Sequence, residues 1–273
     1  MSDRADIRPP LGSSVMNQME SRFHGVRVAG SASAAEPPAQ RQATHLACSS
    51  CSLHELCLSG GLDEIDLEAI DQIVSQRRRI SRGETLFGVG DAFRSIYAVR
   101  FGLFKTEGLM ADGREQITGF QMAGELLGLD GISSERHVCK AVALEDSEVC
   151  VIPFAEMESL GRAVPALQHN LHRVMSREMV ADRNLLVLLG SAQADERLAA
   201  FLLNLSQRNA QRGYSASEFI LRMTRDEIGS YLGLTPETVS RTFTRLQKDG
   251  LIEVAQKHVR IPDLPALRRF IGC

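Results

Sequence analysis

The chain has 273 residues, 44% of them apolar, 5% aromatic and none tryptophan, with 31 Lys and Arg against 34 Asp and Glu. That is enough apolar material for one large or two ordinary domains, and a net charge of -3 excludes a uniformly basic nucleic-acid coat. No run of eighteen consecutive apolar residues occurs and residues 1–40 lack the apolar centre of a signal peptide, so a cytoplasmic chain without a membrane span is expected.

Residues 1–44 are rich in Ala, Ser, Pro and Gly and read as a disordered tail. Three cysteines follow within ten residues, Cys48, Cys51 and Cys57. In a reducing compartment such a cluster holds metal more readily than it forms disulfides. His45 and His54 stand close enough to complete a zinc site. An iron–sulfur cluster instead takes four thiolates and tolerates one distant ligand, for which Cys139, Cys150 and the terminal Cys273 are available. Spacing leaves zinc and iron–sulfur both open.

Residues 63–75 show helical spacing in Ile65, Leu67, Ile70, Ile73 and Val74. Over residues 80–155 the pattern changes to short apolar runs, at 85–87, 95–99 and 116–120, separated by Gly83, Gly90, Gly102, Gly113 and Gly124. Short strands divided by glycine turns predict an antiparallel β-roll whose last strand is residues 149–153. The period returns to helical from Pro165 to Leu189. Leu171, Met175, Met179, Asp182, Leu186 and Leu189 follow a spacing close to a coiled-coil seam, which predicts a dimer helix. Asp182 interrupts the apolar stripe. It is either solvated at the stripe's edge or faces its own copy, where like charges would oppose pairing by roughly a kcal/mol or more.

Leu198, Phe201, Leu202 and Leu205 mark another amphipathic helix over residues 195–210. Thr224 followed by Glu227 fits a capping box, and the helix it opens turns Ile228, Tyr231 and Leu232 inward and stops at Gly233. Thr235-Pro236 restarts a helix that buries Val239, Phe243 and Leu246 and exposes Glu237, Ser240, Arg241 and Arg245. This is a helix-turn-helix with its polar recognition helix, and the alternating residues 252–254 and 259–261 add a hairpin wing. Arg241 suits guanine O6 and N7, Glu237 a cytosine amino group, and Ser240 a neighbouring base, while Arg245 and Lys248 suit phosphates or solvent. Residues 191–273 carry 12 Lys and Arg against 9 Asp and Glu, so this is the part a polyanion favours. No paired carboxylates, nucleophile–base arrangement or phosphate loop suggests an enzyme.

Several segments between Ala47 and Pro262 carry a resemblance to a known family. They are Cys48-x2-Cys51-x5-Cys57, Gly113-Arg114-Glu115-Gln116-Ile117-Thr118-Gly119-Phe120, Ala123-Gly124-Glu125, Val149-Cys150-Val151-Ile152-Pro153-Phe154, Glu196-Arg197-Leu198-Ala199-Ala200-Phe201, and Leu232-Gly233-Leu234-Thr235-Pro236-Glu237-Thr238-Val239-Ser240-Arg241. Together they resemble the Fnr group (fumarate and nitrate reduction regulators) of the Crp–Fnr superfamily. Pro236 departs from the Val or Ile often found there. The resemblance implies one [4Fe-4S] cluster per subunit held by Cys48, Cys51, Cys57 and Cys150, leaving Cys139 an ordinary thiol. It implies that the intact cluster favours a homodimer that binds double-stranded DNA. Oxygen then converts the cluster to a [2Fe-2S] form, destroys it and dissociates the dimer. It also implies an Asp at the position of Asp182 in the dimer helix, and a Glu237-x-x-Ser240-Arg241 readout of inverted TTGAT-type half-sites. Asp112-Gly113 resembles a family surface that meets RNA polymerase, and Ser52 flanks a ligand where it would affect oxygen access. The related cyclic-nucleotide receptors follow Gly-Glu-Leu with an Arg-Ser or Arg-Thr pair. Here Arg136 is followed by His137, and no cyclic nucleotide is expected.

The expected architecture is therefore α+β. It comprises an iron–sulfur sensory domain over 45–164 with a cyclic-nucleotide-binding-like β-roll, a dimerisation helix over 165–190, and a winged helix-turn-helix over 191–273.

Overall fold

The computed structural model describes residues 48–74, 76–110 and 112–272. The expected tail, His45 and Cys273 lie outside them. The cysteine segment forms two short 3-10 turns, Cys48–Ser50 and His54–Leu56. Helix α1 (Glu64–Ile73) follows, capped by the Asp63 carboxylate, which accepts from the Asp66 amide at 2.9 Å. Leu67 and Ile70 are buried, but Ile65, expected on the same stripe, is 78% exposed. Two residues before Leu67 amounts to about 200° of helix rotation, which turns Ile65 to the opposite face.

Eight strands make the roll: β1 (Gln76–Ile80), β2 (Thr85–Phe87), β3 (Ser95–Phe101), β4 (Leu103–Leu109), β5 (Glu115–Met122), β6 (Leu126–Leu127), β7 (Cys139–Ala143) and β8 (Ser147–Pro153). They pair as two four-stranded antiparallel sheets, β1-β8-β3-β6 and β2-β7-β4-β5. Ile80, Phe87, Val99, Phe104, Leu127 and Val149 are all buried in one core cluster of the roll. A second core, with Leu58, Ile70, Ile96, Ile152, Met157, Leu167 and Val174, joins the cysteine segment to the roll and to the helices that follow it.

Those helices are α2 (Phe154–Ala163) and α3 (Pro165–Ser191). Helix α3 buries Leu167, Asn170 and Val174, spaced 3 and 4 as one face of a helix requires. Helix α4 (Ala194–Gln211) buries Leu198, Phe201, Leu202 and Leu205 as expected. Next come β9 (Glu218–Ile220), α5 (Arg225–Leu232), α6 (Pro236–Lys248), β10 (Glu253–Ala255), β11 (His258–Arg260) and α7 (Leu264–Phe270). The expected wing hairpin is β10 with β11, and β9 adds a third strand to make the sheet β10-β11-β9. Strand β9 is three residues long with only Phe219 buried, too short to show an alternating pattern. The core of this C-terminal part also takes in Leu103, Ile117 and Phe120 from the roll. Among the described residues no helix is long and apolar enough to cross a membrane.

Candidate functional site

The cysteine loop closes on itself through backbone bonds. The Cys51 amide donates to the Cys48 carbonyl (3.0 Å), the His54 amide to the Cys51 carbonyl (3.1 Å) and the Cys57 amide to the Leu53 carbonyl (3.1 Å). Its start is tied to α1, because the Cys48 amide donates to the Asp71 carboxylate. Its end is tied to α3. The buried Asn170 side chain donates to the Leu58 and Gly60 carbonyls at 3.1 and 2.8 Å. A buried amide with two good acceptors is expensive to disrupt, because both carbonyls lose their partner. Asn170 thus fastens the loop to the helix expected to dimerise.

Cys150 comes from β8, and Cys48, Cys57 and Cys150 all pack against the same core. Their charges bear on one another. Cys57 and Cys150 act on Cys48, Cys150 and Cys51 on Cys57, and Cys51 on Cys150. Burial pushes the Cys48 thiol far above the usual thiol range, aided by the Asp71 carboxylate. Burial also pushes Cys57 up to about 11, against the stabilising amides of Leu58 and Ser59. The Cys150 thiol is raised by burial too, although the guanidinium of Arg77, its cross-strand partner, opposes this. Such thiols hold their protons near neutral pH, and a metal bound there would have to displace them.

Among the described residues no three His, Cys, Asp or Glu side chains already converge as the ligands of one ion do. Zinc needs its ligands about 2.0–2.3 Å from a single centre, whereas an iron–sulfur cube spreads four thiolates over four iron corners. Cys48, Cys57 and Cys150 on one core, with Cys51 on the same loop, are the thiols such a cluster would draw on. His54, the described alternative for zinc, turns Nδ1 to the Cys51 carbonyl at 2.9 Å and Nε2 to Glu55 at 3.0 Å. Cys139 packs on the other core of the roll, and burial and the neighbouring Asp130 push its thiol up. Ser52 is exposed, and an open cleft of about 790 Å³ runs past Cys51 and Ser52 to Arg100 and Arg212.

The second candidate site is the helix-turn-helix. Thr224 and Glu227 form the capping box, and Gly233 ends α5 with φ 64°, a left-handed conformation that glycine adopts without strain. Thr235 caps α6, accepting from the Thr238 amide at 3.2 Å, with Pro236 in the first turn. Val239, Phe243 and Leu246 are buried, and Glu237, Ser240 and Arg241 are exposed together on the opposite face. The Arg225 guanidinium lies 3.4 Å from the centre of the Phe243 ring and fixes α5 against α6. Arg245 is exposed as expected, and its Nη2 also bonds the Asp195 carboxylate at 2.5 Å and the Thr242 hydroxyl at 3.1 Å, joining α6 to α4.

On α3, Leu171 and Met175 are partly buried, while Met179, Val180, Leu186 and Val187 are 52, 51, 69 and 67% exposed. Asp182 is exposed beside them. One turn earlier, burial raises Glu178 to about 7, with Glu125 and Asp182 adding to the effect and Arg208 and Arg177 opposing it. The folded chain holds this proton more tightly than the unfolded one. The associated stability is therefore full below about pH 4.5 and is lost as pH rises through 7. Glu178→Gln, neutral at every pH, is expected to raise the melting temperature by a few degrees at pH 8, about 1–2 kcal/mol after solvent screening, and by less at pH 5. Equal melting curves at pH 8 would remove this assignment.

Sequence reading missed the junction between roll and DNA-reading part. Glu125 meets Arg208 and Arg212 of α4, Lys105 of β4 reaches Glu227 of α5 at 3.0 Å, and the Ile117 amide donates to the Ser230 hydroxyl at 3.0 Å. Burial would raise the Glu125 carboxyl, but the two guanidiniums hold it below the usual range.

Residues 77–163 match the cyclic nucleotide-binding domain family, and residues 196–270 the Crp-like helix-turn-helix domain family. The chain is 48% identical over 235 residues to the transcriptional regulatory protein btr of Bordetella pertussis, covering 86% of this chain and 96% of that one. It is 49% identical over 234 residues to the transcriptional activator protein FnrA of Stutzerimonas stutzeri, covering 86% and 95%. With the fumarate and nitrate reduction regulatory protein of Escherichia coli it shares 45% identity over 225 residues, 82% and 90% of the two chains. The solved structure of FixK2 from Bradyrhizobium japonicum superposes with a TM-score of 0.65 at 28% identity, covering 71% of this chain and 96% of that one.

Proposed function

The chain belongs to the Crp–Fnr family as an Fnr-type transcriptional regulator with a DNA-binding helix-turn-helix, and from that footing we propose that it is a cytoplasmic, oxygen-responsive switch. In this reading Cys48, Cys51, Cys57 and Cys150 hold one [4Fe-4S] cluster per subunit within a sensory part, 45–164. Residues 165–190 dimerise through Leu171, Met175, Met179, Asp182 and Leu186, and residues 191–273 read DNA. The packing of Cys48 and Cys57 with Cys150 against one core, on a loop that Asn170 fastens to α3, is the observation that carries the reading.

A bound cluster supplies an oxygen-labile group that holds the loop closed. The chain does the rest. The four thiolates fix the loop relative to β8, and Asn170 passes that constraint to α3. Without those bonds the four thiols would hold their protons, and the loop would be secured by its backbone turns, the Asp71 carboxylate and Asn170 alone. Ser52, exposed at the cleft, stands where dioxygen arrives. In the dimer, Glu237, Ser240 and Arg241 enter the major groove of inverted TTGAT-type half-sites. The β4–β5 hairpin at Asp112-Gly113, with Leu109 and Met110 exposed beside it, is the surface for RNA polymerase. Cyclic nucleotide has no part in this reading. Its support is that Arg208 and Arg212 engage Glu125, and that the Arg136 guanidinium donates to the Gly90 carbonyl at 2.7 Å.

Fluorescence anisotropy with a duplex carrying two inverted TTGAT half-sites tests the function. Anaerobically prepared protein is expected to bind it and to lose the site after exposure to air; equal binding in both states contradicts the switch. Arg241→Ala is expected to weaken loaded protein by about 1–3 kcal/mol per half-site and to relax preference at the guanine. A uniform loss across all sequences would instead make Arg241 a phosphate contact.

A further inference from the structure

The turn between β5 and β6 touches both ends of the molecule's proposed signal. On one side, Gly124, at φ 87°, lies so close to the cysteine loop that a Cβ there would stand 2.9 Å from the Cβ of Leu56, the residue before Cys57. On the other side, two arginines of α4 grip the turn. Arg208 Nη2 bonds Glu125 Oε2 at 2.5 Å and the Phe120 carbonyl at 2.5 Å. Arg212 bonds Glu125 Oε1 at 2.6 Å and, through Nε, the Ala123 carbonyl at 2.6 Å. Glu125 also accepts from the Met122 amide at 2.8 Å, so the carboxylate is fully engaged and the turn is stiff.

Helix α4 is in turn fixed to the DNA-reading helices. Arg197 donates to the Leu232 carbonyl at the end of α5 at 3.1 Å, and Asp195 holds Arg245 of α6. The Glu125–Arg208 and Glu125–Arg212 pairs are partly buried and backed by bonds to the Phe120 and Ala123 carbonyls, so a shift of the turn carries α4 with it instead of being absorbed.

We propose that Glu125 is a coupling residue: through Leu56 and Gly124 it senses the state of the cysteine loop, and through Arg208 and Arg212 it passes that state to α4 and the recognition helix, independently of the dimer seam. The proposal rests on the cluster reading above and adds a second route from cluster to DNA.

Hydrogen–deuterium exchange on the full chain, anaerobically loaded and after air exposure, separates the two, with iron and acid-labile sulfide measured on the same samples. In the wild type, loading is expected to slow amide exchange in residues 48–58 and also in residues 205–213, the latter by about tenfold. Glu125→Gln should keep the response in 48–58 and lose the one in 205–213, and Glu125→Asp should restore part of it. Arg208→Gln, which breaks the clamp from α4, should reproduce the loss. A merely supporting role would speed exchange of 205–213 equally in both states and leave their ratio unchanged. An unchanged ratio in both Glu125→Gln and Arg208→Gln, or no response of 205–213 in the wild type, overturns the coupling alone. A chain that takes up neither iron nor sulfide overturns the cluster reading, and the coupling with it.

Discussion

Cys150→Ala is expected to purify under nitrogen with neither iron nor acid-labile sulfide, while Cys139→Ala retains about four of each per chain. The two cysteines look alike in sequence, since both sit in strands of the roll and both are partly buried. Their surroundings differ. Cys150 shares a core with Cys48 and Cys57 and feels the charge of Cys51, while Cys139 packs on the other core of the roll beside Asp130. Among the described residues the charged group bearing on Cys139 is Asp130 and no second cysteine, whereas Cys51 bears on Cys150. The loss in Cys150→Ala should be close to complete, because three thiolates leave one iron corner open to water. Equal retention of iron in both variants would overturn the ligand assignment.

Asp182→Ala is expected to form dimers and bind the inverted repeat in air. Helix α3 exposes Met179, Val180, Leu186 and Val187, an apolar face whose burial favours pairing. Against this stands the exposed carboxylate of Asp182, which would meet its own copy across a twofold seam. For exposed groups the repulsion amounts to about 1–2 kcal/mol, or roughly tenfold in the dimer dissociation constant, enough to tip a seam held near balance. Two further outcomes distinguish charge from shape. Asp182→Asn should dimerise as Asp182→Ala does, and Asp182→Glu should stay monomeric in air. Raising salt should favour the wild-type dimer, since exposed charges are screened. Sedimentation in air reads all of these, and a monomeric Asp182→Ala would refute the repulsion account.

What could be read from the chain was local. Thr224, Glu227, Gly233, Thr235 and Pro236 mark the two helices of the DNA reader because capping chemistry acts over three or four residues. The apolar positions of α6 and α4 fell where their periodicity put them. Glycine turns announced the roll, but not that β8 lies between β1 and β3, which is what sets Cys150 opposite Arg77. Asn170 gave no signal beyond a polar residue in a helical stretch, because its acceptors lie 110 and 112 positions earlier. The Glu125 clamp and the Asp195–Arg245 pair were invisible for the same reason, with partners 83, 87 and 50 positions apart. Arg245, exposed on the recognition helix, gave no sign of its Asp195 partner.

The central claim is that the four cysteines hold an iron–sulfur cluster, and metal and sulfide analysis of anaerobically purified protein tests it most directly. About four irons and four acid-labile sulfides per chain are predicted, with both lost on exposure to air. Stoichiometric zinc with no sulfide would contradict it.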